Sequence, residues 1–193
     1  SWQRTAAAAP LLAVLLSAHV MAAPEPAAAS AAPLAALPTL NIPAYMGTWY
    51  QVAWFPNRFQ KKCASDVRAE YSLEPDGRVR VANRCRLADG RMNEAIGIAR
   101  QVGPATSPKL EVRFAPAWLS FVPFVWGKYW VLDLDDDYRL VAVGEPGRDY
   151  LWVLSRTPKV DRAHVAPVQG HGIRLLRSVV DNREGLIFHG VSS

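Results

Sequence analysis

Cys63 and Cys85 are the only two thiols in the 193-residue chain, and they are the side chains best suited to covalent chemistry. Two outcomes are open to them. In an oxidising compartment they pair naturally, closing a loop of about 22 residues that the chain-entropy model values at ~3 kcal/mol. Left reduced, either one becomes a nucleophile, which needs a neighbouring base that the sequence does not visibly supply. Other chemistry is poorly provided for. His164, His171 and His189 lie in an irregular tail and His19 in an N-terminal apolar run, with no Cys/His cluster at metal-ligand spacing. The run Asp135-Asp136-Asp137 reads as a solvated turn, or at most a weak cation site. No Ser/His/Asp arrangement, phosphate loop or paired-carboxylate motif stands out, and no cofactor or metal is expected. The net charge of +5 is spread over many positions rather than packed into basic runs, so nucleic acid is not an expected partner.

The elements that must position these residues begin late in the chain. Thr5 to Pro24 is an uncharged run dominated by Ala and Leu, with Arg4 before it and the small-residue site Val20-Met21-Ala22 near its end. This is the pattern of an export signal over residues 1–23. Its strongly apolar part is shorter than the ~20 residues a membrane-spanning helix needs. No Cys stands near the cleavage point to carry an acyl group, so a soluble, exported and periplasmic protein is expected. Residues 24–40 are rich in Ala and Pro, too poor in bulky side chains to offset ordering entropy, and read as a linker. From Asn41 onward Trp, Tyr, Arg and Asp appear at ordinary globular density. With 50% hydrophobic residues overall, one domain with one core is expected, over residues 41–158.

Within that span short strands alternate with turn signals every 8 to 12 residues or so, which favours a sandwich or barrel over βαβ units. Val67, Ala69, Tyr71 and Leu73 alternate with Arg68, Glu70, Ser72 and Glu74, the period-2 pattern of a half-buried strand. Pro75-Asp76-Gly77 turns the chain into a second strand with Val79 and Val81 inward and Arg78, Arg80, Arg84 and Arg86 outward. The small residues Ala95, Gly97 and Ala99 follow, then Leu110, Val112 and Phe114 between charged neighbours. The last three runs, Tyr129 to Leu134, Arg139 to Val143 and Tyr150 to Ser155, are apolar on both faces and need cover outside. With Trp49 to Phe55 the count is eight. An all-β, eight-stranded antiparallel up-and-down barrel leaves no exposed edge and holds room for one small ligand.

These residues resemble the lipocalin family over nearly the whole span from Asn41 to Pro158. Gly47-Thr48-Trp49 looks like the Gly-x-Trp signature of the first strand, preceded by Ile42-Pro43-Ala44-Tyr45 where members carry a short helical turn. Asp135 stands where members have a Thr-Asp-Tyr motif, of which only the Asp is kept, and Arg156 matches the family's single-Arg signature. At the barrel floor Arg156 can lie over the indole of Trp49 as a cation-π contact. The stretch Asp149 to Pro158 is similar to the bacterial outer-membrane lipocalins and their apolipoprotein D-like relatives. Beyond Pro158 the likeness weakens: Pro167, Gly170 and Gly172 interrupt the long helix of the family, leaving a shorter helix from about Ile173 to Asn182 within an irregular tail, residues 159–193.

The resemblance implies a fatty acid, a lysophospholipid or a similar hydrophobic or amphipathic small molecule as ligand, in a monomer or weak homodimer with a role in envelope maintenance. Ten buried methylenes supply about 8 kcal/mol gross, before ordering and association costs. Alternation assigns the ligand-facing wall to Tyr71, Leu73, Val81, Val112, Phe114, Tyr129, Val131, Tyr150 and Trp152, with Tyr129 and Trp152 able to orient a polar headgroup. In the segment from Pro116 to Trp126, Trp118, Phe121, Phe124 and Trp126 sit in an uncharged loop at the barrel mouth, suited either to a peripheral membrane contact or to a lid. The resemblance also implies an alternative, because some members are isomerases that use a strand cysteine. Cys85 is then the nucleophile, and a Cys63–Cys85 bridge excludes it.

Overall fold

A computed structural model describes residues 34–116, 121–122, 125–161, 187–188 and 191–192. Eight antiparallel strands run in sequence order: β1 (Gly47–Trp54), β2 (Cys63–Leu73), β3 (Val79–Leu87), β4 (Met92–Gln101), β5 (Lys109–Arg113), β6 (Gly127–Leu134), β7 (Leu140–Gly144) and β8 (Leu151–Ser155). Each pairs with the next, and β1 pairs also with β8, so the sheet closes into a barrel. The turns follow from their residues. Gly77 takes φ +81° between β2 and β3, a value that favours glycine, while the Asp76 carboxylate accepts the Arg78 N–H at 3.0 Å. The outward arginines meet acids across the strands: Arg84 is bonded to both Glu70 and Glu94, and Arg86 to Asp66 at 2.7 Å. As exposed pairs they fix register more than they add stability.

Two apolar clusters lie on opposite faces of the wall. Inside, Trp49, Tyr71, Val81, Val131, Val143 and Leu154 are buried together. Outside, Val52, Leu132, Leu140, Ala142 and Val153 form the second cluster, against which Leu34 and Val160 pack. This outer cluster is why the last three strands carry apolar residues on both faces.

Three short strands lie beyond the expected eight. β9 (Val160–Asp161) pairs in parallel with β11 (Val191–Ser192), and β10 (Ile187–Phe188) pairs with β1 at Ala53 and Trp54. The helix expected between Ile173 and Asn182, like the export signal over residues 1–23, lies outside the described residues. The linker reading of residues 24–40 is corrected at its end. Leu37 N–H donates to the Val131 carbonyl at 3.0 Å and Leu40 N–H to the Thr106 carbonyl at 2.8 Å, while Leu40 is 1% exposed. The three leucines of this Ala/Pro segment tie it to the barrel, from the outer cluster at Leu34 to the inner one at Leu40. Next comes α1 (Ile42–Tyr45), a single turn capped by the Asn41 side chain, which accepts the Ala44 N–H at 3.2 Å.

Candidate functional site: a barrel sealed at one end

The closed end is organised by Arg156. Its guanidinium carbon lies 3.9 Å from the centroid of the Trp49 ring, and its nitrogens donate to the carbonyls of Ala44 (3.0 Å), Thr48 (3.1 Å) and Tyr138 (3.1 Å). One planar side chain therefore joins α1, β1 and the β6–β7 turn across the floor. Gly47 has φ +97°, and a Cβ there would stand 3.1 Å from an Arg156 nitrogen, so both backbone and space call for glycine. Asp135 holds the β6–β7 turn by accepting the N–H groups of Arg139 (2.7 Å) and Leu140 (2.6 Å). It orders the backbone of that turn.

Above Trp49 three tyrosines fill the lower barrel. The Tyr129 hydroxyl lies 2.6 Å from that of Tyr45 and 3.1 Å from that of Tyr71, and the Tyr45 and Tyr71 rings stack with centroids 5.6 Å apart. Tyr129 is half-buried, and its hydroxyl sits between those of Tyr45 and Tyr71. Burial, and then the charge of neighbouring phenolates, hold the Tyr129 and Tyr45 hydroxyls well above the ordinary phenol range. Burial pushes Tyr71 up to about 12. All three stay neutral at physiological pH. Because the folded state holds these protons more tightly than the unfolded chain, their contribution to stability is complete below the unfolded phenol value near pH 10 and is lost as pH rises toward 12. A urea-midpoint series from pH 8 to 12 should fall over that window, and Tyr71→Phe should flatten the fall; a flat wild-type series would contradict the buried cluster.

The predicted wall is thus divided by depth. Tyr71, Val81 and Val131 are buried at 8%, 5% and 0% exposure and belong to the packed lower half. Val112, Phe114, Tyr129, Tyr150 and Trp152 keep accessible surface, and the Tyr150 and Trp152 rings stack with centroids 5.6 Å apart. Leu73 does not line this space: it ends β2 beside the floor turn and is 48% exposed. Tyr129 and Tyr45 were separable from ordinary core only by their hydroxyl network. Gly97 makes room for Phe114, whose ring carbons would lie 2.8 and 2.9 Å from a Cβ at that position.

The mouth loop is also divided. Trp118 and Phe124 lie outside the described residues. Phe121 is 80% exposed. Trp126 does not reach outward with it: its ring lies against the wall, 4.1 Å from the Arg100 guanidinium carbon and 5.3 Å from that of Arg113.

Cys63 and Cys85 form a disulfide, with Cα atoms 5.5 Å apart. The bridge removes the thiol that an isomerase reading requires of Cys85. Among the described residues no group of three or more His, Cys, Asp and Glu side chains could hold a metal, and no helix is long and apolar enough to cross a membrane. A cavity of about 730 Å³ opens where β1 and β2 part near the mouth. Of the residues predicted from sequence only Cys63 lines it; Gln51, Trp54, Lys61 and Arg68, which do, were not anticipated.

An eight-stranded antiparallel barrel closed by β1–β8 pairing and sealed at one end by Arg156 on Trp49 defines the class of the fold. The chain belongs to the lipocalin-like family, whose model, described as a lipocalin-like domain, matches residues 40–171. Temperature-induced lipocalin-1 of Arabidopsis thaliana is 44% identical over 124 residues, covering 63% of this chain and 66% of that protein. Outer membrane lipoprotein Blc of Escherichia coli (strain K12) is 42% identical over 117 residues, 60% of this chain and 62% of that one. The match therefore spans just under two thirds of the length of these curated relatives. Insecticyanin from the tobacco hornworm Manduca sexta shares the fold, with a TM-score of 0.53 at 16% identity over 81% of this chain and 84% of that one.

Proposed function

We propose that this lipocalin carries a single-chain amphiphile, a fatty acid or lysophospholipid, with its hydrocarbon tail in the open half of the barrel. The observation that carries the reading is the contrast along the barrel axis: a lower half packed solid by Trp49 and the tyrosine cluster, and an upper half walled by Val112, Phe114, Tyr150 and Trp152 with surface left accessible. Apolar walls with few polar groups suit a tail rather than a polar metabolite. The tyrosine cluster sets the depth the tail reaches. The Tyr129 hydroxyl already has two partners, so Trp152 is the better headgroup-side contact. Calorimetric titration with oleate should give micromolar affinity in the wild type and at least tenfold weaker binding in Trp152→Ala, a change of ~1.4 kcal/mol. Equal affinity in the two proteins would remove Trp152 from the wall.

Export to the periplasm and a role in envelope maintenance belong to the same proposal. The Cys63–Cys85 bridge supports it, since disulfides persist in oxidising compartments. Phe121 supports a membrane contact at the mouth, because a bulky apolar side chain 80% exposed there can enter the acyl boundary of a bilayer and let lipid pass without crossing water. Phe121→Ser should reduce co-sedimentation with anionic vesicles several-fold, and undiminished co-sedimentation would end the membrane-contact reading.

A further inference from the structure

We propose that the cavity between β1 and β2 binds the anionic headgroup, a carboxylate or a phosphate, of the amphiphile whose tail occupies the calyx. The inference rests on the calyx reading above and adds to it the place and the charge of the headgroup.

The cavity exists because the β1–β2 ladder is short. It runs from Gly47↔Tyr71 to Tyr50↔Arg68 and stops. Beyond that point the free edge of β1 pairs with β10 at Ala53 and Trp54, while β2 continues along β3 with register shifts between Cys63 and Ser65 and between Ser65 and Arg68. Asp66, at φ +54°, sits within the second shift. An irregular strand on one side and a two-residue strand on the other leave a slot in the wall.

The slot is positively charged and holds a donor without an acceptor. Arg58, Lys61, Arg68 and Lys159 line it against one acid, Asp66, whose carboxylate accepts the Arg86 Nε–H at 2.7 Å. Gln51 also lines it. That residue is only 8% exposed; its Oε1 accepts from the Gln60 side chain, and its Nε2 has no partner among the described residues. A buried amide N–H without an acceptor is costly to the fold, and an anionic oxygen entering the slot satisfies it with a charge-assisted bond. A neutral headgroup offers that donor no charge-assisted bond.

Slot and calyx share a wall. Trp54 lines the slot and is paired across the β1–β8 ladder with Trp152, whose side chain packs on the inner cluster. Directly paired residues on antiparallel strands present their side chains to the same face, so a tail leaving the slot past Trp54 meets Trp152. The headgroup is therefore held at the side of the barrel rather than at its rim.

The test compares oleate, 1-oleoyl-lysophosphatidate and uncharged oleyl alcohol on the full chain by calorimetry, with wild type, Gln51→Met and Arg68→Gln. The wild type should bind the two anions at least tenfold more tightly than the alcohol. Both variants should lose that advantage while keeping their affinity for the alcohol. Arg68→Gln changes a half-buried side chain on the wall and keeps the test open if Gln51→Met fails to fold. The larger anionic advantage identifies the headgroup, phosphate if lysophosphatidate gains more and carboxylate if oleate does. In NMR spectra the Gln51 side-chain amide should shift with the anions and not with the alcohol. If alcohol and anions bind equally and the variants change nothing, the headgroup site is overturned while the calyx stands. If none of the three binds, the calyx reading itself falls.

Discussion

Replacing Trp49 with alanine is expected to lower the stability of the barrel by about 4 kcal/mol, the middle of the range for deleting a fully buried large aromatic side chain. Trp49 has no exposed surface, its indole N–H donates to the Tyr45 carbonyl at 2.9 Å, and its ring supports the Arg156 guanidinium. Three things fail together in the variant: the packed floor, the tie to α1, and the surface on which Arg156 rests. Arg156→Lys should also be costly although it preserves charge, because an ammonium cannot lie flat on the indole while donating to three carbonyls in different elements. Urea unfolding of the two single variants and of the double variant Trp49→Ala/Arg156→Lys gives the coupling. We expect ~1 to 2 kcal/mol of non-additivity. Additive losses would mean that the floor is two independent contacts rather than one unit.

The second large effect belongs to the disulfide. Cys63→Ser/Cys85→Ser removes a crosslink spanning a sequence separation of 22 and should destabilise the fold by about 3 kcal/mol. Its position predicts where the loss appears. Cys63 opens β2 beyond both register shifts and beyond the last β1–β2 pair, so the bridge is the strongest tie on that end of the strand. Amide exchange in the variant should therefore accelerate at residues 63–67 and remain slow at residues 69–72, which are paired on both sides or set deep in the β2–β3 ladder. Uniform acceleration along β2 would show that the bridge acts on the global equilibrium instead. The same variant should weaken anionic amphiphiles more than oleyl alcohol, since Cys63 lines the slot proposed to hold the headgroup.

Strand periodicity made the barrel legible before any coordinates, because a side-chain period of two reports directly which face of a strand is buried. The floor was legible for a similar reason. Gly47, Trp49, Asp135 and Arg156 are each of a type that few other residues can replace at their positions: a positive φ, a flat ring, a turn-capping carboxylate and a planar cation. Depth along the barrel was not. Alternation places Leu73, Tyr71 and Val112 on inward faces alike, yet only the ladder shows that Leu73 ends at the floor turn, Tyr71 is packed, and Val112 stands higher. The tyrosine cluster joins residues 84 and 58 positions apart through their hydroxyls, a distance over which local pattern is silent. The contacts of Trp126 with two strand arginines were not legible either, because composition marks a loop as apolar without showing what its rings meet. The slot was hidden for the same reason as β10: both depend on which distant segment meets the edge of β1.

Carriage of an amphiphile in the upper barrel is tested most directly by native mass spectrometry, paired with organic extraction, on the full chain purified from the compartment in which it matures. A co-purifying fatty acid or lysophospholipid, lost from Trp152→Ala, is the predicted result. An empty barrel that also fails to take up oleate or lysophosphatidate when they are supplied would contradict the account.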